Sequence, residues 1–152
     1  MHAPRFVPLA AAALGVACGG GGGGGPSTPS EVASSLVGTW RVTRAEYVNA
    51  ANPAQSVDVI ARGTTMTLAF EARGSFTLTT VDPGRAARVV TGAWTFSHDV
   101  LTIVRAGQPG SSRFDVTLDG NDLTLDGGRV EYDFGDDGRL EDAILSMDLT
   151  HG

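Results

Sequence analysis

From residue 36 to the C-terminus the chain alternates apolar and polar residues with a period of two, and nothing else in the sequence restricts the fold as much. A period of two places successive side chains on opposite faces of a strand. Trp40 and Val42 share one face against Thr39, Arg41 and Thr43; Met66, Leu68 and Phe70 alternate with Thr65, Thr67 and Glu71. The pattern repeats through Phe76 and Leu78, then Val90, Trp94 and Phe96, then Leu101 and Ile103, then Phe114, Val116 and Leu118. Leu123 and Leu125 follow, then Val130, Tyr132 and Phe134, and finally Ala143, Leu145, Met147 and Leu149. This makes about nine predicted strands.

The breaks carry turn chemistry: Arg73-Gly74, Asp82-Pro83-Gly84, Ser97-His98-Asp99, residues 107–110, Asp119-Gly120-Asn121-Asp122, Gly127-Gly128 and residues 135–138. Gly, Asn and Asp supply the positive φ angles of tight hairpins. Short connections force antiparallel neighbours, because a parallel pair needs a crossover of a dozen or more residues. A sheet with one apolar face and one face of Thr, Asp and Arg buries a single side. Closing it hides that side and removes its edges. The expected fold is therefore all-β, an antiparallel up-and-down β-barrel of eight to nine strands over residues 36–152. Residues 49–63 form the one long connection, and with Val57, Val59 and Ile60 they are too apolar for a solvated loop. They read either as a lid over an opening or as a plug packed onto the barrel end.

The 152 residues carry a net charge of -6, and every basic residue is Arg. An acidic chain repels nucleic acid and anionic lipid surfaces, which removes both as partners. The acids concentrate late: from Asp115 onward 11 of them face only Arg129 and Arg139. Most suit exposed strand positions and turns. Asp133, Asp136, Asp137, Glu141 and Asp142 gather oxygen atoms on a glycine turn that calcium would use, but their spacing does not fit the EF-hand loop. A solvated hairpin turn accounts for them, and no metal site is assigned.

Residues 1–17 hold Arg5 and then an apolar run too short for a permanent membrane helix. The run ends at Cys18, the only cysteine, after Gly15-Val16-Ala17. A lone cysteine excludes an intrachain disulfide framework, so the fold rests on packing. Residues 19–25 are all glycine, followed by Pro26-Ser27-Thr28-Pro29-Ser30, a composition suited to a flexible linker. The first 18 residues resemble a bacterial lipoprotein signal, with Leu14 one step further from the cysteine than that pattern has it. The resemblance implies an export signal over 1–17, acylation of Cys18, and a tether over 18–35. Gly19 after the cysteine, by the same resemblance, implies the outer membrane of the bacterial envelope; without acylation the product is secreted.

Gly38-Thr39-Trp40 at the start of the first strand, followed by eight or nine meandering strands, is similar to the lipocalin-like, or calycin, barrels. In those barrels the Gly-x-Trp closes the base and an Arg stacks on the Trp; here no Arg is clearly placed for that contact, and Arg129 or Arg139 could make it with Trp40. The later Thr-Asp-Tyr signature is absent from this chain. The resemblance implies a binding protein. The residues themselves offer no catalytic set: His2 lies in the leader, His98 in a turn and His151 next to the end, with no Gly-x-Ser-x-Gly, P-loop or dinucleotide fingerprint. No enzyme activity and no cofactor are expected.

The remaining candidate site is the barrel interior, where Trp40, Met66, Phe70, Phe76, Trp94, Phe96, Tyr132 and Met147 fall on the apolar face. An eight-stranded interior is filled by side chains or holds one small ligand. Few charges face inward, with Arg44 and Arg88 as the exceptions, so the expected ligand is a small hydrophobic molecule. The alternative is a filled barrel whose surface contacts another envelope protein. Cys18→Ser is expected to abolish incorporation of labelled fatty acid and to release the protein from the membrane fraction, as read by autoradiography and fractionation.

Overall fold

The computed structural model describes residues 29–152. The expected export signal, Cys18 and the glycine run lie outside them. Alternation produces the expected ladder of strands: β1 (Gly38–Asn49), β2 (Ser56–Asp58), β3 (Thr65–Phe70), β4 (Ser75–Val81), β5 (Arg88–Ser97), β6 (Val100–Arg105), β7 (Ser112–Asp119), β8 (Asp122–Tyr132) and β9 (Glu141–His151). Every pairing is antiparallel, each strand joins the next from β3 onward, and β9 returns to β1. Eight strands, β1 and β3 to β9, thus close a barrel. Short β2 pairs only with the far end of β1, through Tyr47↔Val57 and its neighbours.

The expected count of nine strands holds with a different membership. The pair Gly127-Gly128, read from sequence as a turn, is a bulge inside one continuous β8, where the register against β9 shifts between Leu125 and Gly128. Gly127 takes a φ of 79°, a conformation that costs glycine nothing. The ninth strand is β2, within the long connection. That connection is neither loose nor mobile in its bonding. The Asp58 carboxylate accepts from the Ala45 and Ile60 amides at 3.2 and 3.0 Å, and Asn49 bonds the Ala51 amide and the Gln55 side chain. Val57 is buried while Val59 and Ile60 pack on the core, so the segment forms a fixed part of the wall at the rim.

The other end of the barrel is closed by a helix, α1 (Pro29–Leu36), where the sequence reading continues the tether to residue 35. Pro29 suits a first helical turn, and Ala33 and Leu36, three apart, give the helix an apolar edge. Leu36 is fully buried, with Ala33 and Val37 packed beside it. Gly38, at φ 137°, turns the chain from helix to strand. Trp40 then donates from Nε1 to the Leu36 carbonyl at 2.8 Å, satisfying one of the acceptors that a helix end leaves open. Against the indole lies His151, edge-on at 4.9 Å between centroids. This corrects the expected arginine partner: Arg129 pairs with Ile144 well up β8, and the Arg139 amide bonds Asp137 in the loop at the opposite end.

Around this base, Phe70 and Trp94 meet edge to face at 5.3 Å, and Leu68, Leu101, Leu123 and Leu149 are almost fully buried. Trp40→Phe removes the indole donor and leaves the buried Leu36 carbonyl unpaired. It is expected to cost about 1–3 kcal/mol of stability, read as a lower denaturant midpoint at unchanged slope.

Candidate functional site: a hollow at the open end of the barrel

The interior is packed at the base and hollow toward the opposite end. An inner cavity of about 130 Å³ is lined by Leu68, Phe76, Phe114, Leu145 and Met147, with Leu78, Val90, Ile103 and Val130 above them. Past Tyr47, Leu78, Val90, Arg105 and Glu131, which line both spaces, it meets a mouth of about 470 Å³. A side hollow of about 300 Å³, beside residues 108–112, meets it again at Arg105 and Glu131.

Glycine keeps the inner space open. A Cβ on Gly128 would run into the Phe114 ring, and one on Gly92 would run into the Val104 carbonyl and lie 2.7 Å from the Phe76 ring. The two rings lie against the wall over these glycines, which leaves the lumen to a ligand.

The eight residues chosen from sequence divide between the two ends. Phe76 and Met147 line the inner cavity; Met66 and Tyr132 line the mouth. Trp40, Phe70 and Trp94 are buried in the base, and Phe96 packs partly buried against that core. Trp94 is fixed there by its indole, which donates to the Glu71 carbonyl at 3.1 Å.

Arg44 does not face inward. It pairs with Glu46 and lies 3.5 Å from Asp148 on the outer face. The cause is a bulge in β1, where the register against β9 shifts between Val42 and Arg44. One extra residue reverses the faces beyond it, so Ala45 is buried and Tyr47 reaches the cavity. Strict alternation from Trp40 misses Tyr47 for this reason. Its ring stacks on Tyr132 at 4.4 Å, and Tyr132 meets Phe134 edge-on at 5.0 Å. Arg88 does line the mouth, paired with Asp82 at 2.9 Å, while the buried Thr64 donates to the other oxygen of Asp82 at 2.9 Å.

In the acidic loop the Asp133 carboxylate accepts the amides of Asp137 and Gly138 at 3.2 and 2.7 Å, a turn-stabilising role. Among the described residues no group of three or more His, Cys, Asp and Glu side chains is placed to hold a metal ion.

A closed antiparallel barrel with a packed base leaves a small-molecule-sized hollow that opens through a mouth lined by Tyr47, Tyr132 and charged side chains such as Arg88 and Asp82. The lipocalin-like domain family matches residues 36–125, more than half of the sequence, and the chain belongs to that family. Among solved structures it is similar to that of EF1p2_mFAP2b bound to DFHBI, at 17% identity and a TM-score of 0.51, covering 82% of this chain and 100% of that one. A comparison with curated proteins finds no match.

Burial, and then the neighbouring Tyr132, push the Tyr47 phenol up from 10 to about 12. The unfolded chain therefore releases this proton first. Stability contributed by the neutral phenol is complete below pH 10 and is lost as pH rises from 10 toward 12. Relative to Tyr47→Phe, the wild type is expected to lose on the order of 2 kcal/mol across that window, measured by denaturant unfolding at each pH.

Proposed function

We propose that this chain is a lipid-anchored, non-catalytic carrier of the bacterial envelope that holds a small, largely hydrophobic molecule in the open end of its barrel. The observation that carries the reading is the hollow itself. The inner cavity has a hydrocarbon floor and opens through a mouth, which is how small-molecule sites are commonly built. The lipocalin-like family match supports a binding role, and the similar barrel of EF1p2_mFAP2b is bound to DFHBI.

The polar groups at the cavity are suited to holding a ligand, whereas His98 and His151 sit in the turn and strand end at the base. For attachment the reading relies on Cys18 and the glycine-rich tether. Among the described residues no helix is long and apolar enough to cross a membrane. The alternative, an interaction domain with a solid barrel, draws less support, because the lumen holds an inner cavity of about 130 Å³.

Native mass spectrometry of the protein purified from its own host is expected to show a co-purified small molecule. Leu78→Trp, which places an indole where the inner cavity meets the mouth, is expected to remove it. Wild-type protein that carries no adduct and takes up no apolar probe would overturn the carrier reading.

A further inference from the structure

The inner cavity is the size of one ring. Its volume of about 130 Å³ is close to the ~150 Å³ of a dry apolar protein cavity that holds benzene. At its upper end hydrocarbon gives way to Tyr47 and Arg105, which line both the inner cavity and the mouth.

Neither group is committed elsewhere. The Tyr47 hydroxyl makes no hydrogen bond to any described residue, and it is not sealed in protein, so it faces the hollow. The Arg105 guanidinium has no ion-pair partner among the described residues, where the pairs are those of Arg44 and Arg88. The charged groups that act on the Tyr47 oxygen are Arg88, Arg105 and Asp82. Of these, Asp82 is already held by Arg88 and Thr64, which leaves Arg105 as the uncompensated charge beside the phenol. Glu131 also borders the neck, on β8; it and Arg105 are both exposed to solvent, where water screens them alike.

A purely apolar guest would fill the floor and leave two donors at the neck, the part-buried Tyr47 hydroxyl and the exposed Arg105 guanidinium, without a partner. An anion placed between them would accept from both, and guanidinium–carboxylate bonds are among the stronger ones a protein makes. We infer that the ligand is a compact amphiphile, a single-ring aromatic carboxylate, with its ring on the floor of Leu68, Phe76, Phe114 and Met147 and its carboxylate held by the Tyr47 hydroxyl and the Arg105 guanidinium. This rests on the carrier reading and narrows it from a hydrophobic molecule to an acid.

Calorimetric titration of the full chain with phenylpropanoate, phenylpropanol and phenylethylamine separates the two ideas, because the three probes share a ring and differ in the group at the neck. The acid is expected to bind about tenfold or more tighter than the alcohol, the worth of one charge-assisted hydrogen bond, and the amine more weakly than either. Tyr47→Phe and Arg105→Gln are each expected to erase most of that preference, bringing the affinities for acid and alcohol to within about threefold of one another. A cooperative denaturant transition in each variant shows that both are folded.

Equal binding of acid and alcohol, or a preference for the acid that survives both substitutions, overturns this inference and leaves the carrier reading standing. Failure of all three probes to bind also overturns it, and the co-purified molecule in native mass spectrometry then decides the carrier reading separately.

Discussion

The ladder between β1 and β9 joins the two ends of the domain, from Trp40↔His151 at the base to Asn49↔Ala143 at the rim, and turns a ribbon of hairpins into a wall without edges. Each of the other barrel pairings is between consecutive strands, apart from β1 with β3 across the short β2, and would exist in an open sheet. Only this pairing encloses the apolar face on all sides. The same seam gathers the base: Gly38 releases the chain from α1, Trp40 bonds the helix end, and His151 closes against the indole. With helix, first strand and last strand converging at one end, that end is solid, and the free volume is left at the other.

Two bulges determine what the free volume presents. One lies in β1 after Val42 and one in β8 after Leu125, on either side of β9. Without the first, Arg44 and Glu46 would follow Trp40 and Val42 onto the inner face, at a severe desolvation cost. With it, they pair outside and Tyr47 turns inward. The second brings Gly128, Val130 and Tyr132 to the same interior, where Leu145 of β9 stands opposite both Tyr47 and Gly128. The stack of Tyr47 on Tyr132 thus spans β9, and it depends on both irregularities together.

Packing then separates a core from a container. Trp40, Phe70, Trp94 and buried leucines such as Leu36, Leu101, Leu123 and Leu149 fill the lower half. Higher up, the aromatic rings of Phe76 and Phe114 are accommodated by the absent side chains of Gly92 and Gly128. Aromatic side chains alone do not distinguish the two uses. Trp94 and Phe76 lie in adjacent strands and on the same face, yet one anchors the base through its indole and the other lines a cavity.

Much of this was legible in the chain itself. Alternation with a period of two and turns of Gly, Asn and Asp determined the antiparallel barrel, because strand geometry is local and a half-buried sheet has few ways to hide one face. Gly38-x-Trp40 marked the opening strand for a similarly local reason. The helix at residues 29–36 escaped notice because its stability comes from the core that Leu36 enters, and its own composition reads as linker. Tyr47 escaped because a bulge changes the face of every residue beyond it, and a bulge is a property of two paired strands. Arg105 escaped although it follows Leu101 and Ile103 at period two, because an Arg at the exposed end of a strand reads as solvated. The sequence by itself determined that these strands curl around a greasy interior. Only the tertiary structure decided which end is solid, which is hollow and which polar groups face the hollow, because those depend on register between strands and on the space that neighbouring side chains leave unfilled.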